Sequence, residues 1–112
     1  MQEKIIFDAV IIGAGVVGLS IAKFCSEIGK SVVVLEKESR SGEGVSSRNS
    51  GVIHAGMYYP TGSLKSTLCI EGNRLLYDYA KVKNISCRKI GKYIIASKED
   101  ELEKLNKLYN QG

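Results

Sequence analysis

Hydrophobic residues along the chain form two nearly unbroken short runs and three stretches with helical spacing. The runs cover residues 7–12 and 31–35, and runs of this length are typical of strands that are buried on both faces of a parallel sheet. Between them, apolar positions at helical spacing predict a helix that begins near Val16 and ends at Gly29. The order strand, helix, strand predicts one βαβ unit with a right-handed crossover.

The second half of the chain predicts two further helices and a short strand. Ser63 is suited to cap a helix that runs to about Lys83 and carries apolar residues on one face. Residues 93–97 predict a short strand. Ser97 and Asp100, three residues later, resemble a capping box at the start of a last helix. That helix has leucines at helical spacing, which are Leu102, Leu105 and Leu108.

The first predicted strand ends in a turn with the spacing Gly-x-Gly-x-x-Gly. Gly13 allows a sharp turn of the backbone, Gly15 leaves space for a pyrophosphate beside the main chain, and Gly18 lets the helix lie close to the strand. The start of the helix would offer N–H groups and the positive end of the helix dipole to the phosphates. The motif alone is weak evidence, and an ordinary glycine-rich turn of an α/β protein is the alternative.

An acidic residue, Glu36, closes the second predicted strand about 20 residues beyond the turn, where a carboxylate accepts hydrogen bonds from the ribose of an adenine nucleotide. The same negative charge would repel the 2′-phosphate of NADP. The residues alone therefore leave NAD, FAD and other adenine nucleotides with a free 2′-hydroxyl as possible ligands.

A loop rich in serine, glycine and charged residues follows, over residues 37–51. It is long for a connection in a compact domain, and long loops are often functional. Its capping-type residues and the guanidinium of Arg48 predict a second helix start that faces phosphate, with a solvated linker as the alternative. His54, the single histidine of the chain, is more often a structural residue than a catalytic one in this setting.

Composition limits the class of protein. With 112 residues, 44% hydrophobic and 25% charged, the chain suits one small domain and not a disordered segment. A net charge of +4 is compatible with an anionic ligand, but without a nucleic-acid-binding motif we expect no nucleic-acid partner. The three cysteines lack metal-ligand spacing, which indicates reduced thiols in a cytosolic protein and no metal site.

The apolar stretch over residues 9–22 is too short to cross a bilayer, and its glycines and acidic flank do not suit a signal peptide. We therefore expect no transmembrane segment. The expected location is the cytoplasm, and peripheral attachment at the inner membrane stays open as an alternative.

From the glycine-rich turn onward, the sequence resembles the N-terminal part of FAD-dependent oxidoreductases of the D-amino-acid-oxidase-like superfamily. Residues 48–60, Arg-Asn-Ser-Gly-Val-Ile-His-Ala-Gly-Met-Tyr-Tyr-Pro, closely resemble the L-2-hydroxyglutarate dehydrogenase/oxidase branch, and residues 62–79 and 91–96 continue the resemblance. It covers nearly the whole chain. It implies an α/β fold: residues 1–112 would be the incomplete N-terminal part of a doubly wound, Rossmann-like FAD-binding domain, with the substrate domain absent from this chain.

The resemblance also implies which residues hold FAD. The glycine-rich turn would cradle the pyrophosphate, Glu36 would hold the ribose, and Lys37 would flank the adenine. Residues 47–50 would approach the pyrophosphate and the flavin, and His54 would lie toward the isoalloxazine ring, with noncovalent binding expected. The implied cofactor-binding residues are Gly13, Ala14, Gly15, Val16, Val17, Gly18, Glu36, Lys37, Ser47, Arg48, Asn49, Ser50 and His54.

The activity implied by the resemblance is oxidation of L-2-hydroxyglutarate to 2-oxoglutarate, by hydride transfer from C2 of the hydroxy acid to N5 of the flavin. No catalytic residue is assigned. Because members of the branch are several times longer, we expect this chain to be a truncated or split product that is inactive alone. Its expected partners are FAD, a small 2-hydroxy acid in the complete enzyme only, and the missing C-terminal segment as a separate chain. The alternatives are a fragment of an FAD-dependent amino-acid oxidase or dehydrogenase, a non-catalytic dinucleotide-binding module, and a gene remnant.

Overall fold

A parallel pair of strands joined by a helix forms the first of two compact units in the chain. The computed structural model describes residues 4–111, in which the first unit extends to Gly51 and the second begins at Val52. In the first unit, β1 (Ala9–Ile12) is followed by α1 (Val16–Glu27) and β2 (Val32–Leu35). The two strands are parallel, with Ala9 opposite Val32 and Ile12 opposite Leu35. The predicted βαβ order is confirmed.

Both strands begin later than the apolar runs predict, because side-chain hydrogen bonds replace the ladder at their N-terminal ends. Asp8 Oδ2 accepts hydrogen bonds from the N–H of Ser31 at 2.8 Å and from its hydroxyl at 2.7 Å. The Asp8 N–H in turn donates to the Ser31 carbonyl at 3.0 Å. The hydrogen bond from the Ser31 hydroxyl, followed by that from its N–H, lowers the pKa of Asp8. These bonds tie the two strand starts together.

The loop after β2 contains one turn of 3₁₀ helix, Val45–Ser47, in place of the predicted second helix start. The prediction of a phosphate-facing helix near residues 46–50 is therefore wrong. Two of the capping-type side chains that suggested it, Ser47 and Asn49, bond to nearby loop carbonyls instead. For example, the Ser47 hydroxyl donates to the Gly44 carbonyl at 3.0 Å. Such local bonds compete with helix formation.

In the second unit, the long helix α2 (Leu64–Val82) begins where the sequence predicts. The Ser63 hydroxyl accepts a hydrogen bond from the Ser66 N–H at 3.2 Å, which confirms Ser63 as the N-cap. The helix has 19 residues but carries many polar side chains on its outer faces. Across residues 4–111, no helix combines the length and apolar content needed to cross a membrane.

The end of the second unit differs from the prediction in two respects. Residues 93–97 pair with no other strand in the described part of the chain, where the sheet consists of β1 and β2, so the predicted short strand is wrong. The last helix, α3 (Leu102–Gln111), follows a 3₁₀ turn, Glu99–Glu101, and not a capping box made by the Ser97 side chain. Instead, the Ser97 N–H donates to the Glu101 carboxylate at 2.8 Å.

Large apolar side chains remain widely exposed in both units. Among the described residues, the buried apolar residues are Ala14 and Ala80, and none of the large side chains is fully buried. On β1, the side chains of Val10 and Ile12 are 58% and 88% exposed. A face of this kind on a parallel sheet is normally covered by other elements of the fold. The buried position of Ala14 marks the turn after β1 as the best-packed part of the first unit.

Candidate functional site

The turn between β1 and α1 depends on two glycines. Gly13 has φ +100, in the left-handed region that favours glycine, and its N–H donates to the Leu35 carbonyl at 2.7 Å. At Gly18, a Cβ atom would overlap the Gly13 carbonyl oxygen and would lie 3.3 Å from Cγ2 of Ile11. Helix α1 therefore crosses β1 at a distance that a larger residue at position 18 would not allow.

The first N–H groups of α1 lie beside Gly15, which is the N-cap residue and has no side chain to bond them. The Val16 N–H donates to the hydroxyl of Ser46 at 2.9 Å. A Cβ atom on Gly15 would lie 3.0 Å from the same hydroxyl oxygen. The bare main chain at Gly15 thus leaves space for an oxygen atom at the start of the helix, and Ser46 supplies one.

The carboxylate of Glu36 is fixed against the same turn by three main-chain donors. Oε2 accepts from the Ala14 N–H at 2.6 Å, and Oε1 accepts from the N–H groups of Lys37 and Glu38 at 2.8 and 3.0 Å. The hydrogen bond from Glu38, followed by that from Ala14, lowers the pKa of Glu36, and partial desolvation opposes it. Glu36 is therefore charged at neutral pH and joins the end of β2 to the glycine-rich turn.

This arrangement predicts an acid-dependent loss of stability. Because the pKa of Glu36 is lower in the folded than in the unfolded chain, its hydrogen bonds stabilise the fold fully above the ordinary value of 4.5. That stabilisation is lost as the pH falls from there through the lowered, folded-state pKa. We expect the urea concentration at the midpoint of unfolding to decrease as the pH falls through this window. In the Glu36→Gln variant, this midpoint should decrease less steeply with pH than in the unsubstituted chain.

The matched control for this pH dependence is Glu103→Gln, which removes an exposed carboxylate of α3 that pairs with Lys107. If Glu36→Gln and the unsubstituted chain lose stability in parallel below pH 4.5, the Glu36 carboxylate does not couple the turn to β2.

The loop of residues 37–51 folds back onto the glycine-rich turn at two points. The Gly42 N–H donates to the Ala14 carbonyl at 2.9 Å, and Ser46 accepts from Val16 as described. Asn49 stabilises the loop itself, since its side chain donates to the Ser46 carbonyl at 2.8 Å and accepts from the Gly51 N–H at 2.8 Å. The loop and the turn therefore form one surface.

The structure brings part of the predicted site together in the first unit. The turn residues 13–18 and Glu36 lie in contact, through Ala14. Val16 and Val17 are exposed at the start of α1. Five predicted cofactor-binding residues are exposed on the adjoining loop, and they are Lys37, Ser47, Arg48, Asn49 and Ser50. His54 belongs to the second unit, where its carbonyl accepts a hydrogen bond from the Asn73 side chain at 3.1 Å.

Ser46 is the residue at this site that sequence reasoning does not single out. It is one of several capping-type residues in the loop, and the sequence alone favours Ser47, Asn49 and Ser50 equally well. A hydroxyl beside Gly15 could be recognised only from the way the loop returns to the turn, which depends on the Gly42–Ala14 bond.

Three features define a dinucleotide-binding protein of the Rossmann-like class. They are a parallel strand pair, a glycine turn with main-chain N–H groups at a helix start, and a carboxylate at the end of the second strand. The residues fit the ADP half of such a ligand, because the turn has no side chain at Gly15 and its first helical N–H already bonds an oxygen.

The family follows from comparison with known proteins. Residues 8–112 match the family described as FAD dependent oxidoreductase, and the chain belongs to that family. Its cofactor is therefore FAD, and the mixed α/β unit with its parallel β1–β2 pair agrees with the family's Rossmann-like FAD-binding domain.

Curated relatives identify the branch that the chain resembles. It is 48% identical to an L-2-hydroxyglutarate dehydrogenase of Arabidopsis thaliana over 105 residues, which cover 94% of this chain and 22% of the relative. Dehydrogenases of the same name from Dictyostelium discoideum and Homo sapiens are 41% and 44% identical, over 98% and 95% of this chain and 25% and 23% of theirs. The chain thus spans about a quarter of the length of these relatives, whose names describe them as mitochondrial. The expected cytoplasmic location stays a prediction.

Proposed function

We propose that the chain supplies the FAD-binding portion of an enzyme that oxidises L-2-hydroxyglutarate to 2-oxoglutarate. The observation that carries the proposal is identity of 48% and 44%, over 94% and 95% of the chain, with two dehydrogenases named for that substrate. Residues 1–112 would form part of one FAD-binding domain, and the substrate domain would be contributed by sequence outside this chain.

The contacts of the glycine-rich turn support binding of the adenosine diphosphate half of FAD. A phosphate oxygen makes the same kind of hydrogen bond to a helix N–H as the Ser46 hydroxyl does at 2.9 Å, with full negative charge in addition. On binding, Ser46 would release the Val16 N–H and donate its own hydroxyl hydrogen to the phosphate. Ser46 therefore joins the residues that we assign to the pyrophosphate, which are Gly13, Ala14, Gly15, Val16 and Val17.

Glu36 suits recognition of the adenosine ribose because its position is already fixed. A carboxylate has about four lone-pair sites, and the three main-chain donors leave at least one for a ribose hydroxyl. No side-chain rotation is then needed when the nucleotide binds. Lys37, exposed beside it, would flank the adenine.

Loop residues that face solvent would complete the pyrophosphate and flavin contacts. Arg48 brings a permanent positive charge and a planar set of donors that match phosphate oxygens. Ser47, Asn49 and Ser50 would add polar contacts, and His54 would lie toward the isoalloxazine ring. When bound, FAD accepts the two electrons of the hydroxy-acid oxidation, while these residues bind and orient it.

A chimera tests the proposal. This chain would replace the matched segment of the Arabidopsis thaliana relative, with which it shares 48% identity. We expect the purified chimera to be yellow, to contain FAD, and to lose its flavin absorbance on anaerobic addition of L-2-hydroxyglutarate. The 112-residue chain alone should show no turnover.

The control is the parent dehydrogenase, purified and loaded with FAD in parallel. A chimera that folds, as judged by a cooperative thermal transition, but that contains no flavin would contradict the assignment of this chain to the FAD-binding portion. Turnover by the chain alone would contradict the proposal that substrate residues lie elsewhere.

A further inference from the structure

The segment that carries His54 is held against α2 by a side-chain amide. Asn73 Nδ2, on α2, donates to the main-chain carbonyl oxygen of His54 at 3.1 Å, across 19 positions of sequence. Asn73 is half-buried, whereas His54 is exposed. The bond therefore fixes the backbone from which the imidazole projects and leaves the imidazole accessible.

A second contact holds the same segment two residues later. Gly56 is buried and has φ +86, and a Cβ atom there would lie 3.2 Å from the Ser66 carbonyl oxygen and from side-chain atoms of Cys69 and Ile70. The backbone at Gly56 thus lies directly on α2. Close approach at this point brings the His54 carbonyl within reach of Asn73.

A third bond fixes the far end of the segment. Gln111 Nε2, on α3, donates to the Tyr59 carbonyl at 2.8 Å. Side-chain amides from two helices therefore bond main-chain carbonyls at both ends of residues 54–59, and Gly56 packs between them. A segment held in this way has a defined backbone conformation without being part of a helix or strand.

We infer that Asn73 is a positioning residue for His54: its amide bonds the His54 carbonyl and thereby sets where the imidazole is presented. The role of that imidazole toward the flavin rests on the proposed function. The positioning itself depends only on contacts within the second unit. Asn73 acts through the main chain and touches neither cofactor nor substrate in this inference.

The single histidine makes the inference directly measurable, because its imidazole gives one resolved set of NMR signals. Asn73→Asp keeps the size of the side chain but replaces the donor with an acceptor. We expect a changed His54 imidazole chemical shift and a roughly tenfold faster hydrogen exchange at the Tyr59 amide, which donates to the Gly56 carbonyl at 3.2 Å, the factor typical of one lost hydrogen bond. Asn73→Gln retains an amide donor and should restore part of the protection.

The matched control is Asn106→Asp, which makes the same change in charge at an exposed position of α3. If Asn73→Asp lowers the melting temperature but leaves the His54 signals and the exchange of the Tyr59 amide as in the control, the inference is overturned and Asn73 is merely structural. The inference is also overturned if the Asn73→Asp variant retains its helical circular dichroism and shows unchanged hydrogen exchange in this segment.

Addition of FAD separates this inference from the proposed function. We isotope-label only the residues of this chain within the chimera, so that His54 is the one labelled histidine. If the inference and the proposed function are both correct, FAD shifts the His54 signals of the unsubstituted chimera and shifts them differently in its Asn73→Asp variant. If FAD binds the chimera without moving the His54 signals, while Asn73→Asp still moves them in the chain without FAD, the positioning is supported and the flavin-facing role of His54 is wrong.

Discussion

Replacement of Gly18 by alanine is expected to abolish tight FAD binding and to destabilise the first unit by about 1–3 kcal/mol, the usual cost of overpacking. The added Cβ would overlap the Gly13 carbonyl oxygen, a main-chain atom that cannot rotate away, and would press on the Ile11 side chain at 3.3 Å. Relief requires α1 to move from β1, which would displace the N–H groups at the start of the helix. FAD titration of the chimera and thermal unfolding of the chain measure the two effects.

Gly72→Ala is the matched control for this substitution. It also adds one methyl group to a helical glycine, but no heavy atom lies within 4 Å of the new Cβ position in α2. Alanine is favoured over glycine in a helix interior by about 1 kcal/mol, so this variant should be at least as stable as the unsubstituted chain. Unchanged FAD affinity in Gly18→Ala would show that close packing of α1 on β1 is not needed for the cofactor.

Glu36→Gln is expected to weaken binding of ADP and FAD by roughly 10- to 100-fold, because hydrogen bonds to a charged group contribute about 1.5–3 kcal/mol. Glutamine keeps the size of the side chain and an oxygen that can accept from Ala14, so the turn should survive. The same variant should discriminate less against 2′,5′-ADP, since the carboxylate that repels a 2′-phosphate is gone. Competition against FAD in the chimera measures both affinities.

Glu38→Gln is the control for charge, since it removes a neighbouring exposed carboxylate that pairs with Lys37 at 3.4 Å. It should leave the preference for ADP over 2′,5′-ADP intact. If Glu36→Gln and Glu38→Gln change that preference equally, the effect is one of net charge, and the assignment of Glu36 to the ribose is wrong.

The βαβ unit could be predicted from sequence because its determinants are local. The apolar runs and the three glycines are recognisable within short stretches of chain, and Glu36 is recognisable from its spacing to the turn, although its bond to Ala14 spans 22 positions. The strand starts could not be predicted to the residue, because they depend on hydrogen bonds between Asp8 and Ser31, which are 23 positions apart.

Three of the features missed from sequence depend on non-local pairing. Residues 93–97 have strand-forming side chains, but a strand needs a partner, and the described residues supply none. The role of Ser46 required knowing that the loop returns to Val16, and the position of His54 required knowing that Asn73 faces its carbonyl. Serine, asparagine and histidine at these positions have many equally plausible local roles.

The central claim is that the glycine-rich turn and Glu36 receive the ADP half of FAD. Amide-resolved NMR of the isotope-labelled chain, titrated separately with ADP and with riboflavin, which carries no phosphate, tests it most directly. The account predicts that ADP shifts the amides of Gly13 through Gly18 and of Lys37, next to Glu36, and that riboflavin at the same concentration leaves them unchanged. Equal shifts with both ligands, or ADP shifts confined to other residues, would contradict it.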